Sequence, residues 1–314
     1  MKRFLCQILV FLLVLVIVYS IPLLLFEKKA KECTNREPYM NINRVTRLEH
    51  VDADVIILGN SRAECAFDTS LMTSLSGLKY LNLAWGGHAF DFSYHVMYKT
   101  YIKHNKKPNY IIVEVSPRTF FEHTSSVYCI ELLPYINRPE FQFYVEMCPQ
   151  LSKADRMLFI RYFGKLRKVI KEIGCFDNPV IQKPKKHKWR KNYYKKPQRL
   201  ECNPSIIQLF DSFLDECLAD GIKVILVCSP MHIKDGLNYF DVNGFWRIVK
   251  KCVSGTKFPV ISYQNYFGND TVYFSDPIHL NSYGKEVFST KLIHDLDSLG
   301  IININTNDLK NEYQ

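Results

Sequence analysis

The sequence lacks the short motifs that mark several common functions. None of its ten cysteines forms a Cys-x-x-Cys pair, which excludes zinc-ribbon and thioredoxin-type sites. There is no Gly-x-Gly-x-x-Gly and no Walker motif, so nothing supports a glycine-rich nucleotide cradle. No repeat recurs at a solenoid or propeller period. With 13 Gly and 14 Pro in 314 residues, no long flexible region is implied. What is present is a chain 47% hydrophobic and 23% charged, too apolar for a disordered protein and long enough for a sizeable core.

Charge is also missing in one place and one-signed in another. Phe4 to Phe26 runs for 23 residues without a charge. A hydrocarbon core of about 30 Å needs about 20 residues of helix, so the segment can span a bilayer. A cleaved signal peptide would carry an apolar run of only about 7–15 residues and a small-residue cleavage site. Here Phe26-Glu27-Lys28-Lys29 follows instead, so the expectation is an uncleaved signal anchor over 1–31. Lys2 and Arg3 favour an inside N-terminus, and long domains translocate largely regardless of flanking charge. A single-pass membrane protein with its folded domain outside the cytoplasm is therefore expected.

Between Lys183 and Arg199 the sequence holds nine Lys or Arg and no acid. Without it the remainder of a chain of formal charge +10 nets about +1, so the protein is near-neutral with one basic loop. Trp189, Tyr193 and Tyr194 are interleaved there, as nucleic-acid contacts would require. Outside the cytoplasm that partner is absent, which leaves anionic lipid, an anionic glycan or plain solvation.

Residues 32–53 are polar and irregular, a stem. An α/β domain then occupies 54–314. Short apolar runs at 54–58, 80–84, 110–115, 222–228 and 258–262 read as strands, and helical patterns fall at 91–104, 205–219, 240–253 and 282–299. Their alternation predicts a three-layer, flavodoxin-like parallel sheet with helices on both faces. The long stretch between the third and fourth strands makes 117–204 an insertion, aromatic at first and basic at its end. Cys217 and Cys228 fall in apolar patterns and read as buried thiols. Cys129, Cys148, Cys175 and Cys202 lie in loop-like sequence and could pair in an oxidising compartment.

Ligand sites in such sheets form at the carboxyl ends of the strands. That rule selects Asn60 and Ser61, Gly86 and Gly87, Ser116, Ser229 and His232. Ser61 follows a strand and Gly59, which permits a tight turn. A serine hydroxyl needs a base to take its proton. Asp276 and His279, three apart on a Pro-containing loop before the last helix, can supply one, the carboxylate fixing the imidazole tautomer. Of the rest, His88 and His95 read as surface or cap residues, Met231-His232 lies on the sheet edge where it could line the cleft, and Glu114 with Arg118 reads as a buried ion pair.

In this order the segments resemble the SGNH (GDSL-type) hydrolase superfamily. Gly59-Asn60-Ser61 stands where that family has Gly-Asp-Ser, Asn82-Leu-Ala-Trp-Gly-Gly87 resembles its second block, and Asp276-Pro-Ile-His279-Leu-Asn281 its closing block. The resemblance implies that Ser61 is the nucleophile, His279 the base and Asp276 its orienting partner. The backbone N–H groups of Ser61 and of Gly86 or Gly87 would form the oxyanion hole. The family's third block, Gly-x-Asn-Asp, is missing; Glu114-Val-Ser-Pro-Arg118 stands there, leaving Asn60 or Arg62 as substitute donors. The same loss with an N-terminal anchor occurs in the branch resembling DltD and the alginate-acetylation proteins. That implies O-acyl ester transfer or hydrolysis on a cell-surface glycan beside a membrane-bound O-acyltransferase, with no metal, nucleotide or other cofactor. The competing expectation is a non-catalytic scaffold of the same fold in a polymer-modifying membrane complex.

Overall fold

The fold is that of a computed structural model, which describes residues 1–32, 50–120 and 202–302 and a few isolated positions between them. The chain divides into two units, 1–48 with 125–183 and 49–124 with 184–314. In the first, helix α1 (Lys2–Glu32) holds the apolar run and is long and apolar enough to cross a membrane. Its side chains up to Leu25 are almost all exposed, as expected of a helix with no polar face to turn outward. Towards its end Tyr162 donates to Glu27 Oε1 at 2.8 Å and sets its ring edge-on to Phe26. Residues 33–49 of the stem, the basic loop apart from Lys196, and Cys129, Cys148 and Cys175 lie outside the described residues. Cys202 is a free thiol.

The second unit is an α/β fold. Strands β1 (Val55–Leu58), β2 (Tyr80–Asn82), β3 (Tyr110–Glu114), β4 (Lys223–Cys228) and β5 (Val260–Ser262) form one sheet in the order β2-β1-β3-β4-β5. Every pairing is parallel, with Ile57 opposite both Asn82 and Ile112, and Glu114 opposite Val227. This is the flavodoxin-like order. All four residues of β1 are buried, because a central parallel strand is covered on both faces.

Alternate residues serve opposite faces. Val55, Ile57, Ile112, Ile225 and Val227 share a core with Phe67, Met72, Phe288 and Leu292. These come from helix α2 (Ser61–Ala66) and its C-cap, α3 (Thr69–Ser76) and α6 (Ser282–Ser298). A helical run covers 90–104, part of it π-helical at Ser93–Tyr98, and its Phe90 and Tyr98 pack with Phe210 and Phe213 of helix α4 (Pro204–Ala219). Helix α5 (Val242–Val253), capped by Asp241, fills the connection from β4 to β5.

The five expected strands and four expected helices are present with ends shifted by a residue or two. β2 is short, yet its ladder runs on through Leu83 N–H to Ile57 O and Trp85 N–H to Gly59 O, which carries Gly86 to the edge of β1. The periodicity passed over α3, a short helix started by the Asp68 cap and stopped by Gly77 in the left-handed conformation. Cys217 and Cys228 are buried thiols, and burial pushes both up to about 12.

Candidate active site

Ser61 opens α2 at the carboxyl end of β1. The turn into it needs Gly59, whose φ of +153° is one side chains rarely adopt and where a Cβ would lie 2.7 Å from Ala63 Cβ. Asn60 is the N-cap; its Oδ1 accepts from the Arg62 N–H at 3.0 Å. The cap engages only its Oδ1, an acceptor, and leaves the Nδ2 amide as the side chain's donor.

The base arrives from the other end of the sequence. Strands β6 (Phe274–Asp276) and β7 (His279–Leu280) form a small antiparallel pair in which Asp276 faces His279. The sequence suggests only a loop here, because Pro277 and the two-residue strand hide the pairing. His279 Nδ1 stands 2.8 Å from Asp276 Oδ2, and His279 Nε2 stands 2.8 Å from Ser61 Oγ. An ionised carboxylate only accepts, so Nδ1 carries the proton and Nε2 is left as acceptor for the serine hydroxyl.

Asp276 is held from both oxygens. Oδ1 accepts from the backbone N–H groups of Ile278 and His279 at 2.9 and 3.0 Å. Burial works to raise its pKa, but the hydrogen bond and charge of His279 and the two N–H groups prevail and hold the carboxyl below its ordinary value. The hairpin is tied down in turn. His232 N–H donates to Pro277 O, and Asn281 caps α6 through Gly284 N–H while its Nδ2 reaches Val272 O.

Four expectations change on this geometry. His232 does not line the cleft: it is buried, Nε2 lies 3.0 Å from Asn269 O, and Nδ1 accepts from Asp235 N–H. Its part is to brace the hairpin. The buried partner of Glu114 is Arg62, not Arg118, through Arg62 Nε to Glu114 Oε1 at 2.9 Å. Arg62 also reaches Ser229 Oγ at 2.9 Å, and Ser229 Oγ donates to Glu114 Oε1 at 2.8 Å. Arg62 is therefore committed beneath the site and is no oxyanion donor. His88, expected at the surface, is buried with its ring stacked 4.0 Å from Phe92, and burial lowers its pKa to about 3.

The two glycines after β2 separate. Gly86 N–H donates to Glu64 Oε2 at 3.1 Å, a partner sequence reasoning missed. The signal for it was the spacing: Glu64 stands three residues after Ser61 and so shares its helix face. Gly86 N–H is thereby spoken for. The N–H groups of Gly87 and Ser61 have no hydrogen-bond partner among the described residues.

No protein-family profile matches the sequence, and no curated protein matches it. Solved structures resemble it distantly. A Bacteroides fragilis protein provisionally described as an acylhydrolase is 14% identical over 83% of this chain and 99% of its own, with a TM-score of 0.38. A Bacillus subtilis protein is 12% identical over 80% of this chain and 58% of its own, at 0.36. A family two carbohydrate esterase from Clostridium thermocellum, in complex with cellohexaose, is 9% identical over 79% of this chain and 66% of its own, at 0.35. Likeness this distant leaves the chemistry to be argued from the residues.

Proposed function

We propose that this chain is a serine esterase or O-acyltransferase, tethered by α1 with its α/β domain outside the cytoplasm, that acts on acyl groups of a cell-envelope polysaccharide. One observation carries the chemistry: Ser61 Oγ, His279 and Asp276 stand in a line with both hydrogen bonds at 2.8 Å. The glycan substrate, a neighbouring membrane-bound O-acyltransferase and the orientation rest on the resemblance and the anchor.

In this reading Ser61 Oγ attacks the acyl carbonyl carbon as His279 Nε2 takes the hydroxyl proton. Asp276 stabilises the imidazolium that results. Negative charge gathers on the carbonyl oxygen, where the Ser61 and Gly87 N–H groups can donate. The tetrahedral intermediate collapses, the C–O bond to the alcohol breaks, and His279 returns its proton to the departing oxygen. Water or a sugar hydroxyl then gives its proton to His279 and attacks the acyl-enzyme, and His279 passes that proton to Ser61 Oγ as the Oγ–acyl bond breaks. The identity of that second nucleophile is the whole difference between hydrolysis and transfer.

The scaffold reading keeps one observation in its favour. Glu114, where the family's third block would offer an Asn, is fully buried in the pair with Arg62, so β3 offers no oxyanion donor from that position. A fluorophosphonate probe separates the readings. Labelling and hydrolysis of p-nitrophenyl acetate that both vanish in Ser61→Ala support the enzyme. Absence of labelling at any pH, or full turnover in Ser61→Ala, overturns it.

A further inference from the structure

We infer that Glu64 is a positioning residue for the oxyanion hole: its carboxylate fastens the Gly86 N–H so that the next peptide presents the Gly87 N–H beside Ser61. The inference rests on the esterase reading above and adds a residue that neither the triad nor the resemblance assigns.

The β2 ladder zips the chain against β1 as far as Trp85, whose N–H donates to Gly59 O at 3.0 Å. Beyond it the backbone leaves the sheet, and the next contact that fixes it is the Gly86 N–H to Glu64 Oε2 bond. The approach is close. A Cβ on Gly86 would stand 2.8 Å from Glu64 Oε2, 3.2 Å from Ser61 Cβ and 3.6 Å from Ser61 Cα. Glu64 and Ser61 thus touch the same glycine from one helix face. The consequence is that the carboxylate and the nucleophile share a rigid element, and the turn is registered against both at once.

The placement has an electrostatic cost. A carboxylate near a developing oxyanion repels it, and Glu64 is only 9% exposed, so water screens it little. A residue chosen only to open a helix with a favourable first-turn acid would do as well pointing into solvent. Turned onto Gly86, it spends its charge on a backbone N–H, and a charge-assisted bond is stronger than a neutral one. Misplacing one oxyanion donor by an ångström is expensive, because donors must already face the oxygen when the charge forms.

The test compares Glu64→Ala with Glu64→Gln, whose amide oxygen can still accept. Steady-state hydrolysis of p-nitrophenyl acetate and the thermal midpoint are measured for each, with Ser61→Ala alongside. Glu64→Ala should lower kcat about 10- to 100-fold, less than the roughly 10²–10³-fold for losing an oxyanion donor outright because the donor is displaced rather than removed, with KM changed less than about threefold. Glu64→Gln should recover most of that kcat. Fluorophosphonate labelling of Ser61 should slow in proportion. If Glu64→Ala keeps wild-type kcat, or Glu64→Gln is as impaired as Glu64→Ala, or the loss lies in KM alone, the inference is overturned while an inactive Ser61→Ala leaves the enzyme standing. An active Ser61→Ala sinks the esterase reading itself. Should Glu64→Ala not fold, Glu64→Gln and Gly86→Ala decide instead. The added methyl of Gly86→Ala displaces the carboxylate, so kcat must fall in it and hold in Glu64→Gln.

Discussion

Arg62 Nε donates to Glu114 Oε1 at 2.9 Å across 52 residues of chain, with the two side chains 4% and 0% exposed. The pair joins the helix that carries Ser61 to the end of β3, and Ser229 extends it to β4. Desolvating two charges is costly, and the pair offsets that cost only while both partners remain. Arg62 Nη1 and Glu114 Oε2 have no hydrogen-bond partner among the described residues. Either single change, Arg62→Met or Glu114→Leu, should destabilise the domain by about 3–5 kcal/mol, since each leaves a lone buried charge. The double change should cost clearly less than the sum of the singles. Urea unfolding of the four proteins measures the cycle, and additive losses would show that the pair is not coupled.

Asp276 carries a pH prediction. Its carboxyl is held below its ordinary value of 3.8, so its stabilising contribution is complete above that pH and is lost only as pH falls through the lower folded value. Between pH 5 and 8 the aspartate stays ionised and keeps the proton on His279 Nδ1. Asp276→Asn offers an amide that can donate to Nδ1 and so admits the wrong tautomer. Its kcat for p-nitrophenyl acetate at pH 7.5 should fall by about 10³–10⁴-fold. Activity within tenfold of wild type would mean that the carboxylate does not orient the histidine. In acid, the wild-type hairpin should lose stability below pH 3.8, and the asparagine variant should lack that component of the acid transition.

The sheet was legible because fully buried parallel strands are short apolar runs ended by Gly or Ser-Pro, as at Leu58-Gly59 and Cys228-Ser229-Pro230. Ser61, Asp276 and His279 were legible for a related reason: they sit at strand ends and turns, where side chains reach a cleft. What escaped was pairing across the chain. Arg118 is nearer to Glu114 in sequence, but Arg62 reaches it because β1 and β3 are neighbours in the sheet. Likewise nothing local says that the ring nitrogens of His232 are taken by Asp235 and Asn269, or that Glu64 bends onto Gly86. Local pattern reports periodicity and turn chemistry; partner choice is decided by which strands lie side by side in the sheet.

His88 follows Gly87 directly and lies against Trp85 and Phe92, with ring centroids 6.1 and 4.0 Å away. Burial disfavours its charged form and takes its pKa from 6.5 to about 3. In the unfolded chain the imidazole takes up a proton near its ordinary pKa, whereas the folded protein refuses it until much lower pH. Stability is therefore full above pH 6.5 and declines as pH falls towards 3, where the folded form also protonates. Replacing His88 with Phe keeps a ring of similar shape and removes the titration. The stability difference between variant and wild type should then move in favour of the variant by on the order of 2 kcal/mol between pH 7 and pH 5. Other titrating groups are common to both proteins and cancel. Chemical unfolding at the two pH values reads the difference directly, and a gap that does not change with pH would place His88 in contact with solvent.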